Sequence, residues 1–172
     1  MSVRFVIDSL DFVYNARTHH GKIPLAGLLR LQDFLFEDTG STGTLSYQIS
    51  GKHDARGKPN LTIRVEGEIY LCCQRCLGRL RHTLDLRTAL LVAKNESELS
   101  QADKDESVDA ILATSELDVL NLIEDEIILS LSISSRHLEG ECEIHKPEAQ
   151  ENNTAANKEN PFAALAALKK IH

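Results

Sequence analysis

The chain has 172 residues, 42% of them hydrophobic, with no Trp, eight other aromatic side chains and a formal net charge of −7. This length suits one domain and a tail, with a core packed mainly from branched aliphatics, and no apolar run reaches the ~20 residues needed to span a bilayer. Residues 95–160 carry seventeen acids against four Lys or Arg, whereas 61–94 carry six bases against three acids, which excludes the broad positive face of a protein that binds nucleic acid by electrostatics alone. Any RNA contact must be local or made through a partner. Asp8 interrupts the N-terminal apolar run where a secretory signal would have to continue, so a cytoplasmic location is expected. In that setting four cysteines favour metal, redox chemistry or plain burial over a disulfide framework.

Residues 3–7 read as a short strand. Asp8 or Ser9 caps an expected helix through Leu10, Phe12, Val13 and Ala16, ending near His20-Gly21, with His19 and His20 as a solvated C-terminal pair rather than ligands. After Pro24, the spacing of Leu25, Leu28, Leu29, Leu31, Leu35 and Phe36 predicts a second helix, closed by 37–40. Strict alternation then predicts strands over 45–49 and 61–71, separated by a polar loop from Gly51 to Asn60. A third alternation, Leu80 to Thr88, is the antiparallel return of a hairpin whose connecting turn holds Cys72-Cys73-Gln74-Arg75-Cys76-Leu77-Gly78.

Residues 94–107 are polar and acidic with room for one helical turn, and residues 108–113 can add an edge strand. Asp118 is placed to cap a helix through Val119, Leu120, Ile123, Ile127 and Leu131, with Glu124-Asp125-Glu126 expected on its solvated side. From Glu143 the chain is polar and poor in large apolar residues, which predicts a disordered linker over 143–159. Asn160-Pro161 then begins a short helix over 160–172, carrying Phe162, Leu165 and Leu168. It is too short to stand alone and is expected to dock on this domain or on a partner.

Cys73 and Cys76 form a C-x-x-C within a turn, a spacing at which two thiolates reach one ion. A closed tetrahedral site needs two more ligands, and His137 and Cys142 are the remaining candidates, with His82 a further possibility; thiolates and imidazole together suit zinc. Cys72 falls on the opposite strand face and stays outside the set. Reduced cysteines buried around a turn explain the same pattern, because one knuckle with an isolated His and Cys is less specific than two knuckles. A dithiol pair at Cys73/Cys76 acting as a small redox protein or enzyme is the other functional reading. It is disfavoured because Gly78 and a strand follow the motif where a helix N-terminus would be needed. Arg79, Arg81 and Arg87 share one face of the return strand, with Arg75 in the turn. Such a row suits phosphates or an acidic protein surface, or is simply a solvated face paired with Glu66 and Glu68. No aromatics interleave with it as a base-stacking platform requires, and no Walker loop, dinucleotide turn or nucleophile triad is present.

Val65-x-Gly67 followed by Cys73-Gln74-Arg75-Cys76 resembles the YceD family, the large ribosomal RNA subunit accumulation proteins. So do Leu117-Asp118-Val119-Leu120 with Glu124-Asp125-Glu126-Ile127-Ile128-Leu129, the His137 to Cys142 spacing, and Asn160-Pro161-Phe162-Ala163 with Leu165-Ala166 and Leu168-Lys169. One departure is Ser132, where the family tends to have Pro. The resemblance implies a role in the synthesis, processing or stability of 23S ribosomal RNA, with large-subunit RNA or ribosomal protein as partner. It implies no established enzymatic activity; neither a small-molecule substrate nor a membrane is expected as partner. It carries Cys73, Cys76, His137 and Cys142 as positions of the family pattern, without assigning them a chemical role. The expected architecture is a single α+β domain over 1–142: a mainly antiparallel sheet with helices packed on one face, followed by the acidic linker and the C-terminal helix.

Overall fold

A computed structural model describes residues 5–36 and 43–142. In chain order its elements are β1 (Val6–Ile7), α1 (Ser9–Tyr14), β2 (Thr18–Pro24), β3 (Thr44–His53), β4 (Pro59–Cys72), β5 (Arg79–Ala93), α2 (Glu96–Ala102), β6 (Asp109–Leu112), β7 (Leu117–Asp118) and α3 (Val119–Ser130). Strands β2-β3-β4-β5-β6 form one sheet in that order, antiparallel except for β6, which joins β5 in parallel; β1 and β7 pair separately. The α+β class and the antiparallel hairpin are therefore as expected. The expectations for 37–40, for the 143–159 linker and for the 160–172 helix lie outside the described residues.

Register explains why the sheet has one dry face. Tyr47, Val65 and Leu86 align across β3, β4 and β5, as do Ile49, Ile63 and Thr88. With a side-chain period of two, all these residues point to the same side. The buried members of these rows join Phe12 and Val13 of α1 and Val119, Ile123 and Ile127 of α3 in one cluster. The largest fully buried side chains are all Leu, Ile or Val, as a chain so poor in aromatics requires; each contributes about 1.5–3 kcal/mol of transfer free energy. Gly51 is the point of closest approach to α1, since a Cβ there would lie 2.6 Å from the Phe12 carbonyl oxygen and from the Val13 Cα.

Several local expectations are corrected. The first helix stops at Tyr14, where Asn15 bonds back to Asp11, and Thr18–Pro24 is a strand paired with β3. Its inward positions are His19, Gly21 and Ile23, and the missing side chain of Gly21 admits the Tyr47 ring, which would sit 2.9 Å from any Cβ. His19 is no cap: its ring stacks on Phe5 at 4.2 Å and its Nδ1 meets the Tyr47 hydroxyl at 3.1 Å. β3 also continues through Gly51 to His53, so the polar loop there is shorter than expected.

The predicted second helix is instead two 3₁₀ turns, Leu25–Gly27 and Leu31–Phe34, leaving Leu29 and Phe34 exposed. Glu124 decides this. Its carboxylate, expected on a solvated face, is buried and accepts from the backbone N–H of Arg30 at 2.7 Å and of Leu31 at 3.0 Å, as well as from Arg30 Nε at 3.1 Å. A continuous helix would commit those amides to its own carbonyls. Gln32 satisfies the turns from the other side, its Nε2 donating to the carbonyls of Leu25 and Leu28. Replacing Glu124 with Ala leaves a buried amide unpaired and is expected to cost about 3 kcal/mol. Asp125→Ala, at an exposed partner of the same arginine, is expected to cost under ~1 kcal/mol. Urea unfolding of the two variants measures the difference, and equal midpoints would contradict this explanation of 25–36.

Candidate metal centre

The β4–β5 connection is a tight knuckle. The Leu77 amide donates to the Cys73 carbonyl at 2.8 Å and the Cys73 amide to the Gly78 carbonyl at 2.9 Å. Leu77 sits in the left-handed region at φ 57, a conformation that costs a non-glycine residue about 1–2 kcal/mol. The knuckle therefore holds a shape that its sequence does not favour locally.

The segment after α3 crosses this knuckle. The Gln74 amide donates to the Ser135 carbonyl at 2.9 Å, which ties the two stretches together by backbone. His137 and Cys142 then close on the knuckle, so that Cys73, Cys76, His137 and Cys142 each place one donor atom within 4.8 Å of all the others. Cys73 is fully buried; the other three are half-buried. Cys72 turns to the opposite sheet face, where it pairs with Arg79, and His82 pairs with Ile69 along the hairpin; neither belongs to the cluster.

The spacing of the donors tests whether a metal fits. Zn–S bonds of ~2.3 Å and Zn–N bonds of ~2.0–2.1 Å in a tetrahedron require sulfur–sulfur edges of about 3.8 Å and sulfur–nitrogen edges of about 3.6 Å. Cys73 Sγ and Cys142 Sγ are 3.8 Å apart, and His137 Nδ1 lies 3.4 Å from Cys76 Sγ and 3.7 Å from Cys142 Sγ. The His137 ring is held from behind, its Nε2 being 3.0 Å from the Arg79 carbonyl oxygen, to which it can donate. That bond leaves Nδ1 with a lone pair facing the sulfurs, the outer-shell arrangement that orients ligating imidazoles. The four residues can hold a metal ion.

Electrostatics favour thiolate at Cys73. Burial opposes ionisation of Cys73, yet the backbone N–H groups of Cys76, His137 and Arg75 outweigh it and bring the thiol down to about 5. For Cys76 the Gly78 amide favours thiolate, but burial and the neighbouring Cys73 and Cys142 sulfurs carry it above the usual thiol value. His137 is raised by the Cys142 and Cys73 sulfurs. Negative charge is thus favoured at Cys73, where the amide donors converge.

The sequence pattern did not reveal the part played by Arg75. Its Nε donates to Cys142 Sγ at 2.9 Å, and its Nη2 to the carbonyls of His137 and Leu138 at 3.2 and 3.0 Å. The Cys142 sulfur in turn holds the Arg75 guanidinium above its ordinary value. A sequence places Arg75 in the turn but cannot say which way it points. The other arginines lie along the hairpin: Arg79 stacks over the Tyr70 ring at 3.6 Å, Arg81 Nε donates to Glu68 at 2.7 Å, and Arg87 lies 3.9 Å from Asp85.

The fold is a five-stranded sheet with one open face and a thiol–imidazole cluster at the tip of its β4–β5 hairpin. Residues 61–169, more than half of the chain, match the family described as large ribosomal RNA subunit accumulation protein YceD, and the chain belongs to that family. No solved structure matches it.

Replacing Arg75 with Met keeps the stem and removes the donors to Cys142, His137 and Leu138. Amide hydrogen exchange over 136–142 is then expected to quicken by roughly tenfold or more, while exchange in β3 and β4 stays unchanged. Unaltered protection of 136–142 would show that Arg75 does not hold the segment.

Proposed function

We propose that this chain is a non-catalytic factor that supports the synthesis, processing or stability of 23S ribosomal RNA in large-subunit biogenesis, with a zinc ion at Cys73, Cys76, His137 and Cys142 as a structural part. The observation that carries the reading is the family match over 61–169, the stretch that also contains nearly all of the β4–β5 hairpin, β6, the tetrad and α3. A large-subunit component, either the RNA or a ribosomal protein, is the partner, and the process takes place in the cytoplasm.

A structural role for the ion agrees with the donor count. Four protein ligands close a tetrahedral shell, whereas catalytic zinc keeps a position for water or substrate. When bound, zinc supplies a cross-link between the knuckle and the segment beyond α3. Three thiolates and an imidazole around a divalent cation carry one net negative charge, and the Arg75 guanidinium beside Cys142 offsets it. Arg75 is thereby committed to the clamp, and the hairpin face that carries Arg79, Arg81 and Arg87, the first two engaged with Tyr70 and Glu68, is the face presented to the partner.

The second reading, a metal-free dithiol at Cys73/Cys76 doing redox chemistry, draws on the lowered Cys73 thiol. The complete burial of Cys73 speaks against it, since an attacking thiolate has to reach its substrate. Rapid alkylation of Cys73 in folded, metal-free protein would favour that reading.

Two outcomes test the proposal. Protein purified without chelator is expected to melt about 10 °C higher than the same protein after zinc removal, and Cys76→Ser is expected to melt like the stripped protein. A melting curve insensitive to chelator would contradict a structural ion. In cells lacking the chain, wild type is expected to restore 23S rRNA levels. A folded variant with Arg79, Arg81 and Arg87 changed to Glu is expected to restore them several-fold less; full restoration would remove this arginine face from the mechanism.

A further inference from the structure

The open face of the five-stranded sheet carries two adjacent rows that only the strand register discloses. Across β2, β3, β4 and β5 one row is His20, Gln48, Arg64 and Arg87, and its neighbour is Lys22, Ser46, Glu66 and Asp85. All eight residues are exposed. Arg64 stands directly opposite Arg87, and Glu66 directly opposite Asp85. Like charges in directly opposed cross-strand positions destabilise a strand pair. Among the described residues relief comes along each strand: Arg64 pairs with Glu66, and Arg87 reaches Asp85 at 3.9 Å.

The remaining arginines of the hairpin differ. Arg75 is taken up by Cys142, His137 and Leu138, Arg81 by Glu68, and Arg79 lies flat on Tyr70. Among the described residues Arg64 and Arg87 have no further partners, so most of their guanidinium N–H donors, about five on each side chain, face solvent. Directly opposed residues have Cβ atoms about 4.5–5.5 Å apart, close enough for two guanidinium forks to converge on one anion.

We propose that Arg64 and Arg87 together form a phosphate-binding fork for the backbone of large-subunit rRNA, with His20 and Gln48 extending the contact across the sheet. The assignment rests on the rRNA reading above and gives it a surface. The row spans three strand spacings of ~4.8 Å, about 14 Å, which follows a polymer backbone better than a single small anion. The acidic row beside it repels phosphate, so the backbone is confined to one line and the contact stays weak enough to release. Tyr70, on the same sheet face, is covered by Arg79 and not free to stack on bases, so the contact reads backbone rather than sequence.

The test uses the full chain, with Arg64→Ser and Arg87→Ser combined, against a control with Arg56→Ser and Lys58→Ser on the β3–β4 turn. Each is assayed for binding to a large-subunit rRNA transcript over a salt series and for restoring rRNA in cells lacking the chain. The double variant is expected to bind roughly tenfold more weakly at low salt, and its log–log salt slope to fall by about 0.7–0.9, the contribution of the one phosphate held by the fork. Its melting temperature is expected to stay within about 2 °C of wild type, and the control is expected to behave as wild type. If wild type binds RNA and restores rRNA while the double variant matches it in affinity and slope, the fork is overturned and the rRNA role stands. The fork is equally overturned if wild type restores rRNA without binding the transcript, since the contact then runs through protein. If wild type fails to restore rRNA, the rRNA reading falls and the fork falls with it.

Discussion

Closure of the post-α3 segment onto the β4–β5 knuckle is the constraint on which the rest of the structure depends. Without it, the knuckle is a strained turn with a leucine at positive φ, and residues 132–142 have no core of their own to bury. With it, one backbone bond from Gln74 to Ser135, the Arg75 fork and four converging donors fix two stretches about sixty residues apart in sequence. Three of the six distances among the sulfurs and the imidazole match the edges of a tetrahedron of zinc size. Thiolate charge, which would make such a cluster repel itself, is met by amide donors and by one guanidinium.

The same closure orders the two faces of the sheet. α3 is anchored at its start by the Asp118 cap and by pairing of β1 with β7, and at its end by the crossing segment. Between those anchors its apolar side covers β4 and β5, while Glu124 reaches out to shape the 3₁₀ turns at 25–34. All of this lies on one face. The opposite face keeps its alternating charges in water, and there the strand register, set by the inward hydrophobic residues, determines which arginines meet. Core packing thus fixes the charge pattern of the exposed surface.

Much of this was legible in the sequence. The hairpin announced itself by uninterrupted alternation from Leu61 to Leu71 and from Leu80 to Thr88, and α3 by a capping Asp118 ahead of a helical stripe. The knuckle and the later His and Cys could be paired because Cys142 is the one thiol outside the turn and His137 stands five residues before it. What escaped were features set by distant partners. β2 has a single large apolar residue facing inward, Ile23, and its Gly21 makes room for Tyr47, so no local pattern marks it as a strand. In 25–36 the leucines are spaced for either an α-helix or 3₁₀ turns, and a carboxylate some ninety residues away decides between them. Nothing in Glu124-Asp125-Glu126 tells which acid is buried, and the opposition of Arg64 to Arg87 exists only once β4 and β5 are in register.

X-ray absorption at the zinc edge, on full-length protein purified without chelator, tests the closure most directly. One zinc per chain is predicted, bound by three sulfurs at ~2.3 Å and one nitrogen at ~2.0–2.1 Å. A protein without stoichiometric metal, or zinc bound by oxygen and nitrogen alone, would contradict it.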